Sequence, residues 1–383
     1  MKHSANSGYS SGYNIYNSTR RRSGNDRRKK FVVTCLFICM VCVILDVIFI
    51  SKLASKSKKD VVAPTSSSSA PVLTDDSGNV IVPPSDSSAD SSSTSGSEGA
   101  RTQTVDAETR AANLAALQTQ VADYLGKQTG RFGVYYINMN NGETMAFNES
   151  QPIVAASSIK IAYNTYLYEK AAAGELTMDE KITYNAAKYP TGDYEGGTGT
   201  IQNSADGTEY TLYDVSHLSI TVSDNCGTNM VLRRLGGEDA VNNNYMKTIS
   251  SVVDYRGDVE YTDYTGTATH GRRRTSAIDL AKYAEHLYKD YSGNKDLYQP
   301  LIDDLCNTEY NWGVPGGVPS NVAVAHKVGF NTTYYANNDV GIVFGTEDYV
   351  LAVMTESGNA QTAQQIIGEV SKMVYDYVES NYA

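Results

Sequence analysis

The chain has 383 residues, 41% of them hydrophobic, and a formal net charge of −11, so there is ample apolar material for a core. After residue 100 there are 35 acids against 20 bases, a balance that excludes nucleic acid and anionic lipid as partners of the folded part. Three of the five cysteines lie in one apolar run and the five histidines show no metal-ligand spacing, so no disulfide framework, metal or cofactor is expected.

Residues 1–30 are polar and basic and read as a disordered cytoplasmic tail. Residues 31–50 are apolar apart from Thr34 and Asp46. At about 1.5 Å per residue they span a hydrocarbon core of roughly 30 Å as a single transmembrane helix. More positive charge precedes this span than follows it, which puts the N-terminus in the cytoplasm and the rest outside the cell. Residues 51–104, rich in Ser and Asp, read as a disordered tether.

The globular pattern occupies 105–383. Leu114, Leu117, Val121 and Leu125 fall at helical spacing within 105–127. Residues 132–138 and 143–148 alternate about Asn140-Asn141-Gly142, a hairpin signal. An extended stretch from Pro152 then enters a helix near Ser157 that runs to Gly174. Between 180 and 310 the pattern is mixed, with helices at 227–236 and 276–290, the latter opened by Ser276 with Asp279 at its third position. Residues 322–327, 340–344 and 349–355 read as strands, and 362–382 as an amphipathic helix. The fold class is therefore α+β: an antiparallel sheet with terminal helices on one face, plus a mostly helical subdomain. The 29 tyrosines read as strand and loop surface. Cys226 and Cys306 read as two buried thiols rather than a bridge.

Three short motifs carry chemistry. In Ser157-Ser-Ile-Lys160 a three-residue separation puts hydroxyl and amine on one helical face, and a neutral amine there can take the hydroxyl's proton. The same spacing recurs at Ser55–Lys58 and Ser292–Lys295, so it is informative only with Ser223-Asp224-Asn225 and Lys327-Val328-Gly329 following in that order. A plainer reading of Ser223-Asp224-Asn225 is a helix N-cap, and of Lys327 a solvated edge lysine.

The ordered set resembles the class A β-lactamases and penicillin-binding proteins, over about 110–383. The resemblance implies a β-lactamase-like fold and an acyl-serine mechanism with Ser157 as nucleophile, Lys160 as base or relay, and Ser223 passing a proton to the departing nitrogen. Lys327 would keep the local potential positive, Asn225 would hold a side-chain amide of the substrate, and the oxyanion would sit between the backbone N–H groups of Ser157 and Phe330, just after Gly329. Two departures stand out. Val328 occupies a position where the family usually has Thr or Ser. Glu260 falls where the family places its deacylating acid, but Tyr264 stands where an Asn should follow, and Asp258 and Asp263 are equally near. A solvated loop acid is the plainer reading of Glu260.

His270-Gly-Arg272-Arg-Arg274 reads as a polar loop end, or as a contact for an anionic substrate. The expected partners are a β-lactam or a peptidoglycan stem peptide, and the membrane through residues 31–50. Three functions remain open: an anchored extracellular β-lactamase, a slow-deacylating peptidoglycan D,D-peptidase, and a non-catalytic wall-binding or sensor domain.

Overall fold

The computed structural model describes residues 103–269 and 272–382, all within one compact unit, Ser95–Ala383. The tail, the apolar span at 31–50 and nearly all of the tether lie outside the described residues. Among the described residues no helix is long and apolar enough to cross a membrane.

Helix α1 (Ala107–Leu125) starts at Asp106, whose carboxylate accepts from Thr109 N at 2.7 Å. Strands β1 (Arg131–Asn138) and β2 (Thr144–Phe147) form the expected hairpin. The short β3 (Ile153–Val154) leads through a 3-10 turn, Ala156–Ile159, into α2 (Lys160–Ala172). The helical lobe follows, with a small ribbon of β4 (Lys181–Thr183) and β5 (Glu209–Thr211), then α3 (Leu212–Thr221), α4 (Asn225–Arg234), α5 (Glu238–Val241) and α6 (Lys247–Ile249). A long loop carries the hairpin β6 (Tyr261–Thr262) and β7 (Ala268–Thr269), then β8 (Arg274–Thr275), which pairs with β3. Helices α7 (Ala277–Gly293) and α8 (Lys295–Cys306) precede β9 (Ala323–Asn331), β10 (Ala336–Phe344), β11 (Tyr349–Glu356) and the closing α9 (Ala360–Ser380).

The two chain ends share one antiparallel sheet of order β2-β1-β11-β10-β9. Each strand alternates its side chains between the two faces. Val134, Leu351, Val353 and Val343 meet Leu117 and Val121 of α1 and Ile367, Val370 and Val374 of α9. The opposite face, with Ile137, Ala325, Val340 and Ile342, meets Leu280 and Ala284 of α7 and Ile161 of α2. A separate core of Leu167, Leu212, Val215 and Met230 holds the helical lobe.

Ser276 caps α7 as its spacing implies, accepting from Asp279 N at 3.3 Å. Helices α3 and α8 were not apparent in the sequence. Helix α3 is opened by a reciprocal box between Thr211 and Asp214; α8 begins directly after α7 and contains Pro300. The tyrosines differ from expectation: Tyr136, Tyr163, Tyr168, Tyr184, Tyr283 and Tyr349 are fully buried core residues. A ring is largely apolar, and Tyr163 finds Glu238 and Tyr255 for its hydroxyl at 2.9 Å each. Both thiols are free, but only Cys226 is buried; Cys306 ends α8 on its outward side.

Candidate active site

The Ser157 turn is wedged between β3 and α2. Ala156 at φ 48° and Ser223 at φ 53° are non-glycine residues in the left-handed region. Such conformations cost about 1–3 kcal/mol each and persist only where the surroundings enforce them. Ser157 is half-buried and lines a cleft of about 680 Å³ with Lys160, Asn225, Glu195, Glu238 and Phe330.

Lys160 is buried. Its Nζ donates to Ser223 O at 2.8 Å and Asn225 Oδ1 at 3.1 Å, and lies 3.3 Å from Ser223 Oγ. Lys327 reaches the same Oγ from β9, with its Nζ 3.2 Å away, and donates to Val328 O at 3.2 Å. Burial pushes the Lys160 amine well below the ordinary lysine range; the Lys327 charge adds to the shift, against Asp224, Glu195 and Cys226. Burial also brings Lys327 down to about 7, against the opposing charge of Asp339. Charging both amines in so dry a site is unfavourable. One can therefore be neutral and accept a proton while the other keeps a positive field on the Ser223 hydroxyl.

The Ser223-Asp224-Asn225 segment serves both readings. Asp224 is the N-cap of α4, accepting from Gly227 N at 2.9 Å, and also accepts from Ile201 N at 2.8 Å. Gly199 (φ +96°) passes so close that a side chain there would overlap Asp224. Thr198 Oγ1 donates to Ser223 O at 2.6 Å. With Asp224 fixing the backbone, Ser223 and Asn225 are left for Lys160.

A model described as the β-lactamase enzyme family matches residues 116–378. The chain belongs to the β-lactamase enzyme family. The β-lactamase of Streptomyces albus G is 26% identical over 240 residues, 61% of this chain and 75% of its own length. The β-lactamase AST-1 of Nocardia asteroides is 26% identical over 285 residues, 72% of this chain and 88% of its own length. Among solved structures, PBP-A is 26% identical with a TM-score of 0.58, covering 70% of this chain and 97% of its own. The domain is a serine hydrolase of the β-lactamase type, of the class A and penicillin-binding-protein-like branch expected from its three motifs.

Within this β-lactamase-family cleft the expected residues divide. Ser157, Lys160, Ser223, Asn225 and Lys327 come together, and Phe330 lines the cleft. Gly329 plays a different part. A methyl group on it would overlap Ser158 N and stand 2.6 Å from Ala155 O and 3.0 Å from Ser157 N. It lets β9 press its backbone against the nucleophile turn. Val328 is fully buried, and strand alternation puts it on the sheet face opposite Lys327, across from Asp339 of β10.

Glu260 stands apart from the cleft. It is exposed and is not among the residues lining the cleft, whereas Gly257 of the same loop is. The hairpin after it is drawn toward the sheet. Arg131 of β1 donates to Asp263 O at 2.7 Å, and the Arg274 guanidinium lies 5.0 Å from the Tyr261 ring centre. Asp263 is used within its own turn, accepting from Thr265 N and Thr267 N at 2.9 Å each, and Asp258 is exposed near Arg256.

Two carboxylates that the sequence did not single out line the cleft instead. Glu195 accepts from Asn229 Nδ2 at 3.3 Å. Glu238 is held by Tyr163 and by Arg273 Nε at 2.8 Å. The only signal for Glu195 was the glycine-rich stretch following it, and Glu238 follows a Gly-Gly pair that resembles any helix end. Arg272 and Arg273 of the basic run also line the cleft, while Arg274 is buried on Glu356 at 2.7 Å.

Proposed function

We propose that this chain is a membrane-anchored, extracellular acyl-serine enzyme acting on the amide of a β-lactam or of a peptidoglycan stem peptide. One observation carries the reading: two buried lysines, from α2 and β9, meet on the Ser223 hydroxyl at 3.3 and 3.2 Å beside the Ser157 turn. Neutral Lys160 takes the Ser157 proton as Oγ attacks the carbonyl. Ser223, between the two amines, passes a proton to the departing nitrogen and is reprotonated by its neighbours. The N–H groups of Ser157 and Phe330 face the developing oxyanion. Asn225 holds the substrate's side-chain amide. A purely wall-binding or sensor domain has no use for two lysines held in a dry site at a cost to their charge.

A second reading, the slow-deacylating D,D-peptidase, is favoured by the exposed position of Glu260 away from the cleft. A mutant of PBP-A has been captured as an acyl-enzyme with penicillin G. In this reading the acyl-enzyme forms here by the same steps and waits for an amine or for slow hydrolysis. The anchor is motivated by the twenty-residue run at 31–50, apolar apart from Thr34 and Asp46, behind its basic flank.

The test follows the full chain, recovered from membranes, by intact mass after a pulse of penicillin G. A lasting adduct supports the peptidase and a transient one the hydrolase; no adduct sinks both. The labelled chain should stay with membranes through alkaline carbonate washing, and release into the supernatant would rule out the anchor.

A further inference from the structure

A second cavity of about 360 Å³ adjoins the cleft and shares Phe330 with it. It lies where the ends of β9 and β10 meet the start of α9, on the sheet face that carries α9. Its walls include four aromatic rings, Tyr310, Trp312, Phe330 and Tyr335, and no charged side chain lines it among the described residues. Tyr310 packs against Phe330 with ring centres 5.6 Å apart, and the Lys327 ammonium lies 5.9 Å from the Tyr310 ring centre. This wall therefore connects the cavity to the catalytic amines.

Asn337 decides what the cavity suits. It pairs with Phe330 on β9 and Thr355 on β11, so its side chain shares their face. The residue is only 4% exposed, lines the cavity, and has no side-chain hydrogen bond among the described residues. Its amide is left for a ligand or water in the cavity to pair with. Asn offers one acceptor and two donors. Gln364 of α9 supplies a second amide at the rim.

We infer that this cavity is a binding subsite for an uncharged, N-acetylated sugar ring. A sugar presents an apolar C–H face that packs on aromatic rings and a polar rim that pairs with amides. An acetamido group, with one N–H and one C=O, matches both ends of the Asn337 amide. The volume falls in the range of about 300–1,000 Å³ that small-molecule sites occupy. The lack of charge disfavours an acidic or basic peptide. That the sugar belongs to the same substrate whose amide reaches Ser157 rests on the function proposed above; the binding of the sugar does not.

The chain has a single tryptophan, Trp312, so its fluorescence reports this cavity alone. The full chain is titrated with N,N′-diacetylchitobiose, with cellobiose, which lacks the acetamido groups, and with an uncharged aromatic dipeptide. A saturable fluorescence change with diacetylchitobiose is expected, weaker by about tenfold with cellobiose and in Asn337→Leu, since two hydrogen bonds are lost. Gln364→Ala, at the rim, should weaken binding a few-fold and decides the matter should Asn337→Leu not fold. Neither change should alter the rate at which penicillin G labels Ser157, which doubles as the folding control. No response to diacetylchitobiose, an equal response to cellobiose, a stronger one to the dipeptide, or unchanged affinity in the folded variants would overturn the subsite. Sugar binding with these dependences in a chain that penicillin never labels would leave the subsite standing and remove the acyl-transfer reading; labelling without sugar binding would do the reverse.

Discussion

The turn at Ala156–Ile159 and the loop between α6 and α7 both border the cleft, and they are fixed by different means. The turn is clamped by backbone. Gly329 of β9 abuts Ser157 N and Ala155 O, and Asn338 of β10 donates to Ala155 O at 3.1 Å. The loop is tied at its ends and, near Asp263, to Arg131 of β1 at 2.7 Å. At its start Ser250 Oγ and the N–H groups of Val252 and Val253 donate to Asp279 at 2.5–2.9 Å. At its finish Arg273 is bound to Glu238 and Arg274 to Glu356. Between those pins Glu260 and most of residues 265–268 face solvent. The residues expected to acylate thus sit in packed secondary structure, and the acid that spacing nominates for deacylation sits on an exposed stretch of the loop.

The change that should matter most removes the Ser157 hydroxyl. Ser157→Ala should abolish penicillin labelling, and because Ser157 caps nothing, the thermal midpoint should stay within a few degrees of the parent. Labelling at the parental level would show that the clamped turn is not the acylating end.

A smaller, diagnostic effect concerns pH. Lys327, brought down to about 7 by burial, loses its proton as pH rises through that value. If its positive charge assists, the acylation rate should fall on the alkaline side of about pH 7. Lys160, pushed well below the ordinary lysine range by burial and by the Lys327 charge, must be neutral to act as base, so the acid limb falls where it gains a proton. Arginine keeps its charge, so Lys327→Arg should remove the alkaline limb even if the rate drops overall. A pH–rate profile unchanged in the variant would separate Lys327 from the charge requirement.

The smallest effect is the most pointed. Glu260→Gln should leave acylation and deacylation within a few-fold, since exposed substitutions rarely exceed about 0.5 kcal/mol. A stalled acyl-enzyme in this variant, with a loss on the order of 10²–10⁴-fold, would mean the loop delivers Glu260 into the cleft during turnover, and the contrast between the two segments would fail.

The same contrast marks what was legible in the sequence. The hairpin at Asn140-Asn141-Gly142, the Ser276 cap, the last three strands and the clustering of the five motif residues depend on local pattern or on short motifs, and they could be read. Helix α8 was hidden because Asn294 ends α7 and caps α8 at once, which in sequence resembles a turn. Val328 could not be judged, because its importance depends on the face it takes within the sheet. Glu195 and Glu238 became visible only when Asn229, Tyr163 and Arg273 were brought around them by contacts distant in sequence.

The seating of Gly329 also shows what the turn leaves uncovered. Strand β9 is the last in the sheet, nine residues long and apolar for much of its length, the kind of border to which another chain's strand can add and seed aggregation. The other border, β2, is protected by being only four residues long. On β9 the Ser157 turn lies over the face of the sheet, at Gly329 and its partner Asn338, and not along the border. A larger residue there would part turn and strand, so acylation should be lost with no rise in self-association.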